Sequence, residues 1–407
     1  MADAGRRARG ALWWARLLVL IVAAIGVGWV AVNVTAMRAF PLRTGIPQRL
    51  DANHPDIVFR EAAEALLSNR GRLPAQFYPR IAEAAKREPL SAEPYMFFAM
   101  QALEQQDLAR AERLLTEARR RDPRLRLARL ALLGVYLQTN RVAEASEEIA
   151  VIVRLVPRAE QLLVPELARL AAAPATADAV VAAIGDDPLM AAVIVRLAQQ
   201  NLDPEHLLRL AARQPRAAGA AATGWQATVL DMMVRRGEVR RAHRIWQRLV
   251  GISGTPPLVY DARFEGRPGP VPFNWALSGS GAGVAEPAAG GALDVEYYGR
   301  ASAPLASQLL ALQPGRYRLA MRAEGSATGE GSRIEWNVAC SGSGAVLAAE
   351  PLRDITYNPR DVAVEFTVPA SGCEGQWLRL QGVAAEFPTT QAVKISELSL
   401  QRAGGGQ

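Results

Sequence analysis

Residues 92–125 read AEPYMFFAMQALEQQDLARAERLLTEARRRDPRL, and Pro123 within that stretch stands 34 residues from Pro89 on one side and from Pro157 on the other. Proline disfavours the helical conformation at the residue before it, so each of the three marks a helix end. Inside the stretch, Tyr95, Phe98, Ala99 and Ala102 fall on one face of a first helix, and Ala111, Leu115 and Ala118 on one face of a second. A fixed period of this length is what helix pairs show when they cannot bury their apolar face alone and must stack on neighbours. The first half of the chain is therefore expected to be a helical repeat array.

Working outward, residues 126–159 supply Leu132, Tyr136, Ala145 and Ile149 before Pro157, while upstream Phe59, Ala62, Ala63, Leu66 and Leu67 share one helix face and Phe77, Ile81, Ala84 and Pro89 complete a first unit. These residues resemble the tetratricopeptide repeat over about residues 58–160. The third unit departs from the pattern: Arg129 and Leu133 stand where an aromatic residue and glycine are preferred. Beyond Pro157 the strict period fades, with helices expected over 161–172, 187–199, 204–213, 225–236 and 238–250. Gly237, Ala242 and Trp246 make the last pair repeat-like, as a capping repeat would be. An irregular helical bundle is the alternative. Tetratricopeptide proteins that clamp a carboxy-terminal peptide carry lysine and asparagine in the first-helix groove; here Met96, Met100, Leu130 and Gly134 occupy those positions. Such a groove fits an amphipathic helix of a partner protein or a neighbouring helix of the same array.

The chain has 407 residues, too many for one ordinary core. Leu17 to Val32 form an uninterrupted apolar run, extendable to Met37 and so long enough to span a bilayer as one helix, with Trp13 and Trp14 at the interfacial level. Arg6, Arg7, Arg9 and Arg16 precede the run against a single Asp3, which keeps the amino terminus cytoplasmic and exports the rest; Arg38, Arg43 and Arg49 after the run pull the other way. The other reading is a cleavable signal peptide ending at Val34-Thr35-Ala36. The expected layout is a basic cytoplasmic segment 1–16, a transmembrane signal-anchor 17–37, a juxtamembrane linker 38–52, the repeat array 53–250, a linker 251–257, a second domain 258–402 and a tail 403–407. Such a layout is expected of a single-pass protein of a bacterial inner membrane with its soluble part in the periplasm.

The formal net charge is +7, and Lys86 and Lys394 are the only lysines in an alanine- and arginine-rich chain. Residues 258–407 carry 12 basic and 15 acidic side chains, a net of −3, which leaves +10 on the membrane-proximal half. That half is expected to lean on anionic lipid headgroups or an acidic polymer. Without a recognition motif, nucleic acid is not an expected partner. Cys340 and Cys373 are the only cysteines, read as one disulfide in an oxidising compartment or as two buried thiols.

After the Gly251–Pro257 linker, helical periodicity gives way to alternation: Leu293, Val295 and Tyr297; Tyr317, Leu319 and Met321; Ile334, Trp336, Val338 and Cys340; Val362, Val364, Phe366 and Val368; Leu378 and Leu380. About nine such runs between glycine, proline and serine turns indicate a two-sheet antiparallel sandwich. In the last, Val393 to Gln401, the alternation shifts between Ile395 and Leu398, as a bulge would produce. An opening strand ending in Phe264-Glu265, then Phe273-Asn274-Trp275, Leu312 to Tyr317 and Lys394 to Leu400 are similar to jelly-roll carbohydrate-binding modules of the galactose-binding-like group. The resemblance implies glycan binding and, at Glu265 and Glu397, the positions of a structural calcium; two solvated glutamates are the alternative, since two carboxylates are few for that ion.

If the alternating residues point inward, their neighbours point out: Asp294, Glu296 and Tyr298; Arg316 and Arg318; Glu335 and Asn337; Trp377, Arg379 and Gln381. An aromatic ring packs on the C–H face of a pyranose while planar amide, carboxylate and guanidinium groups address its hydroxyls. Trp377, Arg379, Gln381, Tyr298, Glu296, Glu335 and Asn337 are the candidate glycan residues, a solvated charged face being the other account. Trp275 and Trp336 are expected in the core. His54, His206 and His243 show no metal-ligand spacing and no nucleophile elbow accompanies them. The sequence thus points to a non-catalytic adaptor that joins protein partners to an envelope glycan, in surface polysaccharide synthesis or export. The alternatives are an assembly subunit without sugar binding and a polysaccharide-modifying enzyme using sandwich carboxylates.

Overall fold

In the computed structural model, which describes residues 20–28, 30, 51–69, 71–214, 224–327 and 331–403, each of the three periodic prolines sits two residues past a helix end. The helices are α1 (Pro55–Ser68), α2 (Phe77–Arg87), α3 (Glu93–Glu104), α4 (Leu108–Arg121), α5 (Arg126–Gln138) and α6 (Val142–Leu155), packed in consecutive pairs. Ala99, Ala111, Ala118 and Ala145 are fully buried and let the helices approach, while Phe97, Leu115, Leu132 and Ile149 fill the seams between them. Asp107 caps α4 by accepting from the Arg110 N–H at 2.9 Å.

Arg129, the departure from the repeat pattern, has a physical explanation. Its guanidinium is buried, bonds Glu148 of α6 at 2.7 Å and donates through Nε to the Pro123 carbonyl at 2.6 Å. Glu148, 2% exposed, also accepts from Arg119 of α4. One buried carboxylate therefore ties three helices where the usual repeat relies on an aromatic side chain.

The chain divides into two compact units after Glu160. The helix α7 (Ala159–Ala172) starts at that boundary, and in the second unit α8 (Pro174–Ile184), α9 (Pro188–Gln199), α10 (Pro204–Leu210) with a short 3-10 turn (Ala211–Arg213), α11 (Trp225–Arg235) and α12 (Val239–Val250) follow it before the sandwich. Four of these match the expected helices to within a residue or two, and the 204–213 helix is α10 running into the 3-10 turn. The additional one is α8, an alanine-rich helix that buries Ala177, Val180 and Ile184 on one face. Asp187 and Asp203 cap α9 and α10.

The α12 helix packs on the entrance to the sandwich. Trp246 is buried, donates from Nε1 to the Pro270 carbonyl at 3.0 Å and meets the rings of Tyr260, His243 and Phe273 at 4.9, 5.5 and 5.9 Å. Gly375 is required there, because a Cβ would lie 2.7 Å from Val239 at the start of α12.

Two antiparallel sheets follow. One has the order β1 (Ala276–Leu277), β5 (Ala303–Leu310), β10 (Gln376–Val383), β7 (Arg333–Cys340), β8 (Val346–Pro351); the other β2 (Gly279–Ser280), β3 (Gly283–Ala288), β4 (Ala292–Tyr297), β11 (Gln391–Arg402), β6 (Gly315–Ser326), β9 (Arg360–Val368). The alternating apolar residues meet between them, with Tyr297, Leu319, Ile334, Trp336, Leu380 and Ile395 at 0–1% exposure and Trp275 packed against the same core. In β11 the register against β6 shifts between Ser396 and Ser399, where the alternation breaks. Cys340 and Cys373 form a disulfide joining the end of β7 to the loop before β10.

The opening strand expected to end at Phe264-Glu265 is not formed. Val259 and Phe264 are in the core, but the buried Asp261 carboxylate accepts from the backbone N–H groups of Glu265, Gly266 and Arg267 at 2.9, 2.9 and 3.0 Å. Those donors are satisfied in a loop, so no strand partner is needed. Residues 20–28 and 30 are helical and exposed; the rest of the expected 17–37 span, like residues 1–16 and 38–50, lies outside the described residues. Among the described residues no helix is long and apolar enough to cross a membrane.

Candidate functional site

The register of the five-stranded sheet decides which outward residues can act together. On β10, Trp377, Arg379 and Gln381 stand opposite Ala339, Asn337 and Glu335 of β7, and Arg379 also stands opposite Ser307 of β5. Neighbouring strands lie about 4.8 Å apart and alternate residues about 7 Å apart, so these side chains form one patch. Five of the seven candidate glycan residues share it: Trp377, Arg379, Gln381, Glu335 and Asn337. The Arg379 guanidinium carbon lies 4.8 Å from the centroid of the half-buried Trp377 ring, a cation–π contact. Burial lowers the Arg379 pKa from its ordinary value. Arg379 has no carboxylate partner and no hydrogen bond among the described residues, whereas Glu335 is taken by Arg333 at 2.9 Å.

Glu296 and Tyr298 do not belong to this patch. Glu296 is on β4 of the six-stranded sheet and Tyr298 directly follows that strand, so the face is split between the two sheets. Alternation separates inward from outward but does not say which sheet a strand joins.

On the six-stranded sheet, Glu296 lines a cleft of about 430 Å³ with Glu286, Asp294, Glu324, Lys394 and Tyr357. Lys394 lies 3.8 Å from Glu324, leaving the other three carboxylates without an ion-pair partner among the described residues. Tyr357, 83% exposed, escaped the sequence reading because it lies in a loop outside every alternating run. The cleft depends on β3, β4, β11 and β6 lying side by side, which no local pattern encodes.

The two calcium candidates are held by arginines. Glu265 bonds Arg263 at 3.0 Å and Arg267 at 3.1 Å, and Glu397 lies 3.9 Å from Arg322. Among the described residues no group of three His, Cys, Asp or Glu side chains could hold a metal ion. In the helical unit, Met96 is packed in the core at the floor of a cleft of about 410 Å³ that Phe59, Phe97 and Leu127 also line. Met100 and Gly134 are half-buried, Leu130 is 45% exposed, and a Cβ added at Gly134 would meet no neighbour within 4 Å. The exposed residue of the expected groove is therefore Leu130 on α5, with the exposed Leu137 two turns further along the same helix.

The tetratricopeptide repeat family model matches residues 102–163. Among solved structures, the chain is similar to the N-terminal cellulose-binding domain of Cellulomonas fimi beta-1,4-glucanase C, with 21% identity over 32% of this chain and 90% of that one and a TM-score of 0.23. It is likewise similar to TmCBM61 in complex with beta-1,4-galactotriose (17% identity, 31% of this chain, 88% of that one, TM-score 0.23). A third likeness is to the CBM22-1 xylan-binding domain of Paenibacillus barcinonensis Xyn10C (11%, 32%, 87%, 0.24). No curated protein sequence matches the chain.

Proposed function

We propose that the chain is a non-catalytic adaptor whose helical repeats hold a protein partner and whose sandwich holds a glycan on the outer face of the five-stranded sheet. The observation that carries the glycan half is the Trp377–Arg379 stack with Asn337, Gln381 and Ser307 around it. Such a patch offers a ring to stack on and several planar hydrogen-bonding groups with spare capacity, the combination a saccharide requires. The repeat match and the exposed apolar face of α5 support the protein-binding half.

For location, the apolar run at 17–37 behind four arginines supports a single-pass anchor in a bacterial inner membrane, and the Cys340–Cys373 disulfide supports a periplasmic soluble part. An envelope location makes surface polysaccharide, during its synthesis or export, the natural ligand. Affinity electrophoresis of the full chain through gels containing the host's surface polysaccharide tests the binding. Retardation of the wild type that Trp377→Ala loses is expected; equal mobility with and without polysaccharide removes the glycan half. A reporter fused after Gln407 that is active only outside the cytoplasm tests the topology, and cytoplasmic activity would overturn it.

A further inference from the structure

Arg379 narrows the class of sugar. Four arginines of the sandwich have a carboxylate acceptor: Arg263 and Arg267 bond Glu265, Arg316 bonds Glu365, and Arg333 bonds Glu335. Arg379 differs from these. It stands mid-strand on β10, is partly desolvated, and is flanked by neutral Ser307 and Asn337 on the adjoining strands. Along its own strand the outward neighbours are Trp377 and Gln381, also neutral. A partly desolvated guanidinium without a counter-ion among the described residues is an unfavourable arrangement unless something completes it, because apart from the Trp377 ring none of those residues replaces the hydration it loses. Its planar fork matches a carboxylate with two parallel N–H···O bonds, and the Trp377 ring holds the guanidinium in place beforehand.

We infer that the patch around Arg379 recognises an acidic saccharide, a glycan bearing uronate carboxylates. This rests on the proposed glycan-binding function and adds the charge of the ligand to it. In the bound state, Arg379 takes the carboxylate while Asn337, Gln381 and Ser307 address ring hydroxyls. The six-stranded sheet would not compete for such a ligand, since Glu286, Asp294, Glu296 and Glu324 outnumber Lys394 in its cleft and leave it negative.

The test is titration of the full chain with oligomers of galacturonic, glucuronic and mannuronic acid, each beside its carboxyl-reduced, neutral counterpart. At least one uronate oligomer is expected to bind roughly tenfold to hundredfold more tightly than its reduced form, the worth of a charge-assisted bidentate contact. The preference should shrink as sodium chloride is raised. Arg379→Gln should erase the preference for the charged oligomer over its reduced form, and Arg379→Lys, which keeps the charge without the fork, should retain only part of it. Thermal melting of both variants reports folding separately. Equal binding of charged and reduced oligomers, or a preference that survives Arg379→Gln, overturns the inference while the glycan-binding function stands, provided Trp377→Ala abolishes both. Absence of binding to every oligomer, charged and neutral, overturns the inference.

Discussion

Removing the Glu148 carboxylate should unfold the repeat unit more readily than any other single polar change in it. Glu148 is 2% exposed and accepts from Arg129, itself 10% exposed, and from Arg119 at 32% exposure. Deleting one partner of a buried ion pair leaves an uncompensated charge and costs about 3–5 kcal/mol. For Glu148→Ala the stranded charge is mainly Arg129, because Arg119 can turn to water. Glu148→Gln keeps the shape and one acceptor and should cost about 2 kcal/mol. With a urea dependence of about 2 kcal/mol per molar, the alanine variant should lower the unfolding midpoint by about 2 M. Far-ultraviolet circular dichroism during urea titration follows the helical transition, and an unchanged slope would show that compactness is unaffected. Replacing Glu148 by Leu together with Arg129 by Met should recover most of the loss, since neither charge then remains buried. A Glu148→Ala variant within about 0.5 kcal/mol of wild type would refute the role assigned to this carboxylate.

Two further outcomes concern the second unit. Burial holds His243, against Trp246 and Phe273, down from its ordinary 6.5 to about 4. The unfolded chain takes up a proton below pH 6.5 that the folded chain refuses until about pH 4, so this contribution is full above 6.5 and lost as pH falls to 4. The loss is on the order of 3 kcal/mol, and His243→Phe should lack that part of the slope in denaturation curves measured across the window. Reducing the Cys340–Cys373 bond reopens a loop of 33 residues, worth about 3–4 kcal/mol, and should lower the melting temperature of the sandwich by about 10 °C; an unchanged melting curve after verified reduction would contradict this.

Local patterns carried most of the architecture. Proline spacing located α2, α4 and α6, because each helix end is a local event, and alternation found the core residues of β4, β6, β7 and β10, because side-chain direction alternates strictly along a strand. The broken alternation in β11 likewise corresponds to its register shift. What the sequence left hidden was non-local. Trp246 has the spacing of a repeat residue, yet its burial comes from Tyr260, Phe273 and Pro270 downstream. Glu296 and Trp377 both point outward but on different sheets, and only strand order separates them. Arg129 looked like a defect in the repeat until Glu148, 19 residues on, supplied its partner. The candidate patch was thus legible residue by residue on β7 and β10, while its membership was not.

The most direct measurement is calorimetric titration of the full chain with the host's surface polysaccharide, beside Trp377→Ala. Keeping α12 matters, because cutting after the linker would strip Trp246 from the aromatic cluster at the entrance to the sandwich. Saturable heat from the wild type, lost in a variant that melts at the same temperature, is the predicted result. A folded wild type that gives no heat, or a Trp377→Ala variant that binds as well as wild type, would contradict the claim that this sheet face holds the glycan.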